Sequence, residues 1–122
     1  MADFNTLGLQ FAQFYYNGFQ SNRESLRVLF NADSMLTFES DHFKGADAIM
    51  VKFHSLTAQS IVHHILTLDV QPSTTQGSMI ILVTGQLQMD QDAPLKFSQV
   101  FHLIPAAGSY VCTNNLFRLN LG

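Results

Sequence analysis

The fold of this chain is decided by residues 79–89, which read MIILVTGQLQM. Apolar side chains occupy the odd positions of this stretch apart from Gly85, and polar side chains occupy the even positions from Thr84 onward. A period of two places successive side chains on opposite faces of an extended strand. The stretch therefore predicts a β-strand that buries one face in the core of its own domain.

The preceding strand is apolar on both faces. Between Ile61 and Gln71 the apolar residues on even positions are Val62, Leu66, Leu68 and Val70, and those on odd positions are Ile61 and Ile65. A strand that is apolar on both faces needs cover on both. We therefore expect one face to meet the core and the other to meet a second copy of the chain.

Clusters of turn-forming residues divide the second half of the chain. They lie at residues 72–77, 90–94 and 105–109, and they separate strands of about ten residues. Strands of that length twist enough to curl a sheet. The spacing predicts a curved, mostly antiparallel sheet whose concave side can enclose a pocket.

The first part of the chain has helical periodicity instead. From Phe4, apolar residues recur at spacings of three and four, and Asp3 is placed to cap the helix. Ser21–Glu24 has the Ser-x-x-Glu capping-box pattern, which predicts a second, short helix. A strand at Met35–Glu39 and a third helix after Gly45 follow. Together these elements predict an α+β fold with three N-terminal helices packed in the concave face of the sheet.

Composition limits the classes of protein that fit. A chain of 122 residues and 13.6 kDa predicts a single domain over residues 1–122. Charged residues make up only 12%, which indicates that part of the surface meets a partner, and the net charge of −3 argues against nucleic-acid binding. The single Cys112, the absence of a leader pattern at Met1 and the short apolar runs predict a soluble, disulfide-free protein of a reducing compartment, with no membrane segment.

Three acidic residues are candidates for a charged pocket rim. Glu39 ends one predicted strand, and Asp90 and Asp92 lie in the turn after another. Strand ends are where pockets open, so these carboxylates can meet a basic partner, although acids in turns also serve only to solvate them. His63 and His64 are adjacent on a strand and point to opposite faces, so no metal site is expected. No glycine-rich phosphate loop is present, and no cofactor is expected.

Two further alternatives concern catalysis and the N-terminus. Tyr15, Tyr16, His63 and Asp69 could surround a small substrate for proton transfer, but residues of these types occur in any domain of this size. Phe4 lies in the first helical turn, where an aromatic ring serves either as a hydrophobic staple or as an exposed contact site.

Short segments spread along the chain carry a resemblance to a known family. In order they are Tyr15-Tyr16 with Phe19 and Arg23, Leu36-Thr37-Phe38-Glu39, Phe43-x-Gly45, Val83-x-Gly85-Gln86-Leu87, Asp90-x-Asp92, and Val111-Cys112-Thr113-Asn114-x-x-Phe117-Arg118-Leu119. In this order and at near-matching spacing they resemble the nuclear transport factor 2 family from Phe4 to Leu121. The closing segment is the most specific of them.

The resemblance implies a fold and a function. It implies a cone-shaped domain that forms a homodimer, is not an enzyme, and binds two partners: the small GTPase Ran in its GDP form, and the phenylalanine-glycine repeats of nucleoporins. Such a protein carries Ran-GDP into the nucleus and occupies cytoplasm and nucleus, concentrated at the nuclear pore. A small-molecule enzyme of the same fold and a plain dimeric scaffold remain the alternatives.

The resemblance also assigns roles to residues of this chain. It places Glu39, Asp90 and Asp92 on the Ran-binding acidic rim, and Phe4 at the nucleoporin-repeat site. It implies that an apolar cavity accepts an aromatic residue of Ran and is formed by Phe38, Leu56, Ile61, Leu87, Met89, Leu95, Leu116 and Phe117, with His63 at its edge.

Overall fold

A computed structural model describes residues 3–121. Helices come first and long strands follow, as the change of periodicity predicts. The helical elements are α1 (Phe4–Ser21), a 3₁₀ helix (Arg23–Leu29) and α2 (Ala46–Ser55). The strands are β1 (Met35–Phe38), β2 (Asp41–Lys44), β3 (Ile61–Pro72), β4 (Met79–Met89), β5 (Leu95–Ala106) and β6 (Ser109–Leu119).

The strands form one curved, open sheet in the order β2-β1-β6-β5-β4-β3. All neighbouring pairs are antiparallel except β1 and β6, which run parallel. α1 packs against β3 and β4, and the rings of Phe53, Phe97 and Phe101 are fully buried in the core. The predicted α+β class, with helices against a mostly antiparallel sheet, is confirmed.

The alternation that predicts β4 is confirmed, because Met79, Ile81, Val83 and Leu87 are buried. In β3 a bulge explains why apolar residues occur on both sets of positions. The pairing with β4 shifts register between Ile65 and Thr67, so the inward set changes from odd to even positions there. One side of β3 is therefore covered within the chain, and its two-sided apolar pattern does not by itself require a second copy.

The first helix begins as predicted, but the second does not. The Asp3 carboxylate accepts a hydrogen bond from the Asn5 backbone N–H at 3.3 Å and caps α1. The capping box predicted at Ser21–Glu24 is wrong, because Ser21 is the last residue of α1 and its hydroxyl donates to the Asn17 carbonyl at 2.7 Å. The following residues form the 3₁₀ helix, which has no side-chain cap.

Two local features differ from the sequence expectation. β2, which pairs with β1 through a tight turn, was not predicted, because four residues are too few for a clear alternation. The turn expected at residues 105–109 is confined to Ala107 and Gly108, which have φ values of 50° and 79°. Two consecutive left-handed residues close a two-residue hairpin, so Pro105 stays in β5, paired with Tyr110.

Candidate functional site

A cavity of about 250 Å³ lies at one end of the sheet. Its walls are the ends of β1, β4 and β6 and the beginning of β3, which the antiparallel pairing and the parallel β1–β6 pair place at the same end. α1, β5 and the residue after α2 add the remaining side chains. The lining residues are Tyr15, Phe19, Phe38, Leu56, Ile61, His63, Leu87, Met89, Gln99, Phe117 and Leu119.

One wall of the cavity is a stack of aromatic rings. Phe38 stacks on Phe117 at 4.7 Å between ring centroids, and Phe117 stacks on Phe97 at 5.7 Å. The Lys52 ammonium lies 5.0 Å from the centroid of the Phe38 ring, in cation–π contact. Stacked rings present a flat, apolar surface against which another ring can pack.

Four buried side chains, which we call the polar cluster, are joined by hydrogen bonds at the cavity: Tyr15 and Gln99, which belong to the lining, and Tyr16 and Asn115, which do not. The Tyr16 hydroxyl donates to Gln99 Oε1 at 2.8 Å, and Gln99 Nε2 donates to Asn115 Oδ1 at 2.8 Å. The Tyr15 hydroxyl accepts from Asn115 Nδ2 at 3.1 Å and from Gln99 Nε2 at 3.4 Å. Burial raises the pKa of both phenols well above the ordinary value, so both keep their protons.

His63 is the other polar group in the lining. Its ring stacks on Tyr16 with 4.5 Å between centroids, and its buried Nδ1 atom has no hydrogen-bond partner among residues 3–121. Burial, with a smaller contribution from the nearby positive charge of Arg23, lowers the pKa of His63 to about 4. The imidazole is therefore neutral at physiological pH, and the cavity carries no charge in its lining.

Seven of the nine side chains assigned to the cavity by resemblance do line it: Phe38, Leu56, Ile61, His63, Leu87, Met89 and Phe117. Two assignments are corrected. Leu95 lies on the same sheet face, paired with Leu87, but is not part of the lining. Leu116 is 48% exposed on the opposite face of the sheet, because it alternates with the inward-facing Phe117.

Four lining residues were not among those that the resemblance assigned to the cavity: Tyr15, Phe19, Gln99 and Leu119. A sequence signal exists for each. Tyr15 and Phe19 are four residues apart on the aromatic stripe of α1, and Gln99 is the polar exception on the inward face of β5. Leu119 shares the face of Phe117, two residues earlier.

Glu39 and Asp90 both flank the cavity and both hydrogen-bond to backbone. Glu39 follows Phe38, and its Oε1 accepts from the Leu119 N–H at 2.5 Å. Asp90 follows Met89, and its Oδ1 accepts from the backbone N–H groups of residues 59 and 60 at 3.0 and 2.9 Å. Both residues have positive φ, 59° and 53°. These carboxylates therefore stabilise the turns and also place negative charge beside the cavity.

Asp92 completes the acidic rim without a structural role of its own. It is exposed, its backbone N–H donates to the Met89 carbonyl at 3.0 Å, and its carboxylate makes no hydrogen bond within the part of the chain that the structure describes. Glu39 follows β1 and the Asp90–Asp92 turn follows β4, three strands away in the same sheet, so the acids belong to separate parts of the sheet end.

The residues of the catalytic alternative are not brought together. Tyr15, Tyr16 and His63 are neighbours, but Asp69 is exposed and pairs with Leu82 on the outer face of the sheet. His64 is likewise exposed, so the two histidines point to opposite faces as expected. Residues 3–121 contain no group of three possible metal ligands and no helix able to cross a membrane.

Phe4 and the outer sheet face are separate from the cavity. Phe4 is the first residue of α1, is half-buried and packs against the core. The outer face carries the exposed apolar side chains Ile80, Leu82 and Leu116 on β4 and β6. Leu82 and Leu116 both pair with Val100 of β5, so they form a continuous apolar row across three strands, which we call the outer row.

The fold and the cavity define a class of protein: a small α+β binding module whose apolar cavity opens between carboxylates at one end of a curved sheet. Comparison with known proteins specifies the family. The profile of the nuclear transport factor 2 domain matches residues 7–119. Nuclear transport factor 2 of Candida glabrata is 48% identical over 97% of this chain and 95% of its own.

Two more relatives agree. Nuclear transport factor 2 of Schizosaccharomyces pombe is 48% identical over the full length of both chains. The structure of nuclear transport factor 2 from Cryptosporidium parvum superposes with a TM-score of 0.91 at 46% identity, covering 96% of this chain and 94% of that one. The chain belongs to the nuclear transport factor 2 family. Its relatives are named as nuclear transport factors and not as enzymes, which confirms the prediction that it is not an enzyme and supports a role in nucleocytoplasmic transport.

Proposed function

We propose that this chain, as one domain over residues 1–122, binds Ran-GDP and phenylalanine-glycine nucleoporin repeats and carries Ran-GDP into the nucleus. The observation that carries the proposal is the uncharged apolar cavity with Glu39, Asp90 and Asp92 at its mouth. A partner that fits has an aromatic residue flanked by basic ones. The resemblance implies such a segment in the switch region of Ran.

The two parts of the site contribute differently to binding. The partner's ring enters the cavity and packs against the stacked rings of Phe38 and Phe117, which supplies affinity through buried apolar area. The carboxylates at the mouth pair with basic side chains and orient the partner, which supplies discrimination and a fast encounter. Because Glu39 and Asp90 are each anchored by hydrogen bonds to backbone, their charges are positioned before the partner arrives.

Preference for GDP needs no contact with the nucleotide. A switch segment that the γ-phosphate reorders withdraws its aromatic and basic residues together, so the cavity reads the nucleotide state indirectly. The carrier therefore releases Ran where GDP is exchanged for GTP.

Phe4 is the proposed contact for nucleoporin repeats. A half-buried ring at the start of α1 offers a shallow apolar surface, and transit needs contacts that are weak and numerous. We expect Phe4→Ala to reduce retention on immobilised repeats while leaving Ran-GDP affinity unchanged. Loss of both activities together would indicate misfolding instead.

The proposed carrier is a homodimer that joins through the outer row. Leu82 and Leu116 are 38% and 48% exposed and form one contiguous apolar row, the kind of surface that marks an interaction site. Pairing the outer faces of two copies would cover the row. The dimer works in cytoplasm and nucleus and is concentrated at the nuclear pore, where the repeats are.

The proposal is tested by titration calorimetry against Ran loaded with GDP and, in parallel, with a non-hydrolysable GTP analogue. We expect binding to the GDP form alone. Equal binding to both forms would contradict the indirect reading of the nucleotide. No binding to either would leave the family membership intact and reject the Ran assignment.

A further inference from the structure

The outer row has an acidic residue at one end and a basic residue near the other. Asp69 of β3 pairs with Leu82, so it extends the row by one strand at the edge of the sheet. Arg118 lies on the same outer face as Leu116, two residues further along β6, because both alternate with the inward-facing Phe117. The apolar side chains of the row therefore lie between opposite charges.

Neither charge is neutralised by an ion pair within its own chain. Asp69 and Arg118 are both exposed, and the ion pairs formed within residues 3–121 involve other side chains. A charge in water needs no partner, but these two flank an apolar surface that the proposed dimer covers. A charge that loses water at an interface is unfavourable unless an opposite charge meets it. The second copy is the molecule that can supply both opposite charges.

Two-fold symmetry decides which charges can meet. The same patch serves both copies in a two-fold interface, so a contact between two different residues occurs twice. A rotation that keeps the direction of the row would place Asp69 against Asp69, and like charges repel. A rotation that reverses the row places Asp69 of each copy at the other copy's β6 end, where Arg118 is exposed. Only the reversed arrangement brings opposite charges together.

We infer that the two copies pack with their outer rows reversed, and that Asp69 of each copy pairs with Arg118 of the other. The inference rests on the proposed homodimer through the outer row and adds its orientation and its charge contacts. A guanidinium offers two parallel N–H groups to a carboxylate, so each pair also restricts the angle between the copies. The two pairs disfavour a partner that has a similar apolar face without matching charges.

Reversing each charge tests this orientation. Asp69→Arg places a base against Arg118 of the other copy, and Arg118→Asp places an acid against Asp69, twice in each dimer. We expect each single variant to raise the dissociation constant of the dimer by about 30-fold or more in sedimentation equilibrium. The double variant regains both pairs with their signs exchanged, so its dissociation constant should lie within about fivefold of wild type.

A mixture of the two single variants separates pairing from net charge. In a dimer of one Asp69→Arg copy and one Arg118→Asp copy, the two substituted residues have opposite charges and face each other, and so do the two original residues. We therefore expect native mass spectrometry to show the mixed dimer in excess over either homodimer. If a single variant folds only within a dimer, co-expression of the two variants gives the same readout.

Lys96→Asp is the matched control for Arg118→Asp. Lys96 is an exposed base on the same outer face, but it lies four residues from Val100 along β5 and therefore further from the row. We expect this variant to leave the dissociation constant within about threefold of wild type. Circular dichroism checks that each variant keeps its fold.

Three results would overturn the charge pairing while the dimer through the outer row stands: unchanged dissociation constants in both single variants, an equal loss in Lys96→Asp, or a mixture without an excess of the mixed dimer. A wild-type chain that sediments as a monomer would overturn the proposed dimer and this inference together. The two failures are therefore distinguishable.

Discussion

Asp90→Asn removes one negative charge from the acidic rim with little change to the backbone around it. The Asp90 Oδ1 atom accepts the N–H groups of residues 59 and 60, and the side-chain oxygen of asparagine can accept the same two bonds. Asparagine also adopts a positive φ readily, and φ is 53° at this position. We therefore expect the free energy of unfolding to change by no more than about 0.5 kcal/mol.

The effect on partner binding should be much larger. In the proposed complex the partner covers Asp90, and truncating one partner of a buried, hydrogen-bonded charge pair costs about 2–5 kcal/mol; each 1.4 kcal/mol is about tenfold in affinity. Asp90→Asn should therefore weaken Ran-GDP binding by about 30-fold or more. The affinity of the variant should also depend less on salt concentration than that of the wild type, because one fewer charge is screened.

Two control variants separate charge from structure. Asp90→Ala loses the charge and also both backbone hydrogen bonds, and it places alanine at a left-handed φ, so it should lower the free energy of unfolding by about 2–3 kcal/mol. Asp33→Asn makes the same change in net charge in an exposed turn before β1, at the other end of that strand from the cavity mouth.

Titration calorimetry against Ran-GDP and urea unfolding measure the two quantities. Affinity of Asp90→Asn within twofold of wild type would refute the assignment of Asp90 to the binding rim. An equal loss in Asp33→Asn would show that net charge, and not the position of the carboxylate, governs binding.

Three other predictions follow from the same structure. The pKa of His63 is about 4 in the folded chain against an ordinary 6.5, so the unfolded chain binds more protons between these two pH values. The contribution of His63 to the free energy of unfolding should be complete above pH 6.5 and fall by up to about 3 kcal/mol towards pH 4 in urea unfolding. His63→Phe should flatten that fall, whereas His64→Gln should not. A Cβ at Gly85 would lie 2.1 Å from the His64 carbonyl oxygen, so Gly85→Ala should destabilise by about 3 kcal/mol or more in the same assay, whereas Gly108→Ala, in open space at φ 79°, should cost about 1–2 kcal/mol. Leu116→Glu should shift sedimentation towards the monomer, and an unchanged dimer would contradict an interface through the outer row.

The hydrophobic periodicity and the composition of the sequence were sufficient to predict the architecture. The alternation in Met79–Met89, with apolar residues at the odd positions, and the helical spacing after Phe4 predict the type of these long elements, because burying one face forces a period of two in a strand and near 3.6 in a helix. The short elements were less predictable. The 3₁₀ helix and β2 contain too few residues for periodicity to outweigh local hydrogen bonding.

The resemblance identified most of the cavity lining, but it assigned Leu116 to the wrong face of the sheet. Leu116 and Phe117 are adjacent, both apolar, and point to opposite sides of the sheet. A shift of register by one residue exchanges all inward and outward side chains of a strand, so the sequence of β6 alone leaves the choice open. The pairing of β6 with β5 and β1 decides that Phe117 faces inward and Leu116 outward.

The sequence by itself determined the α+β class, the order of the long elements, the family and the acids that follow β1 and β4. Only the tertiary structure decided that Glu39 and Asp90 also cap backbone groups, that His63 is half-buried and neutral, and that Tyr15 lines the cavity. The physical reason is the distance along the chain over which each interaction acts. Periodicity and turn chemistry depend on neighbours along the chain, whereas desolvation and hydrogen-bond satisfaction depend on groups that only folding brings together; Tyr15 and Asn115, 100 residues apart, are one example.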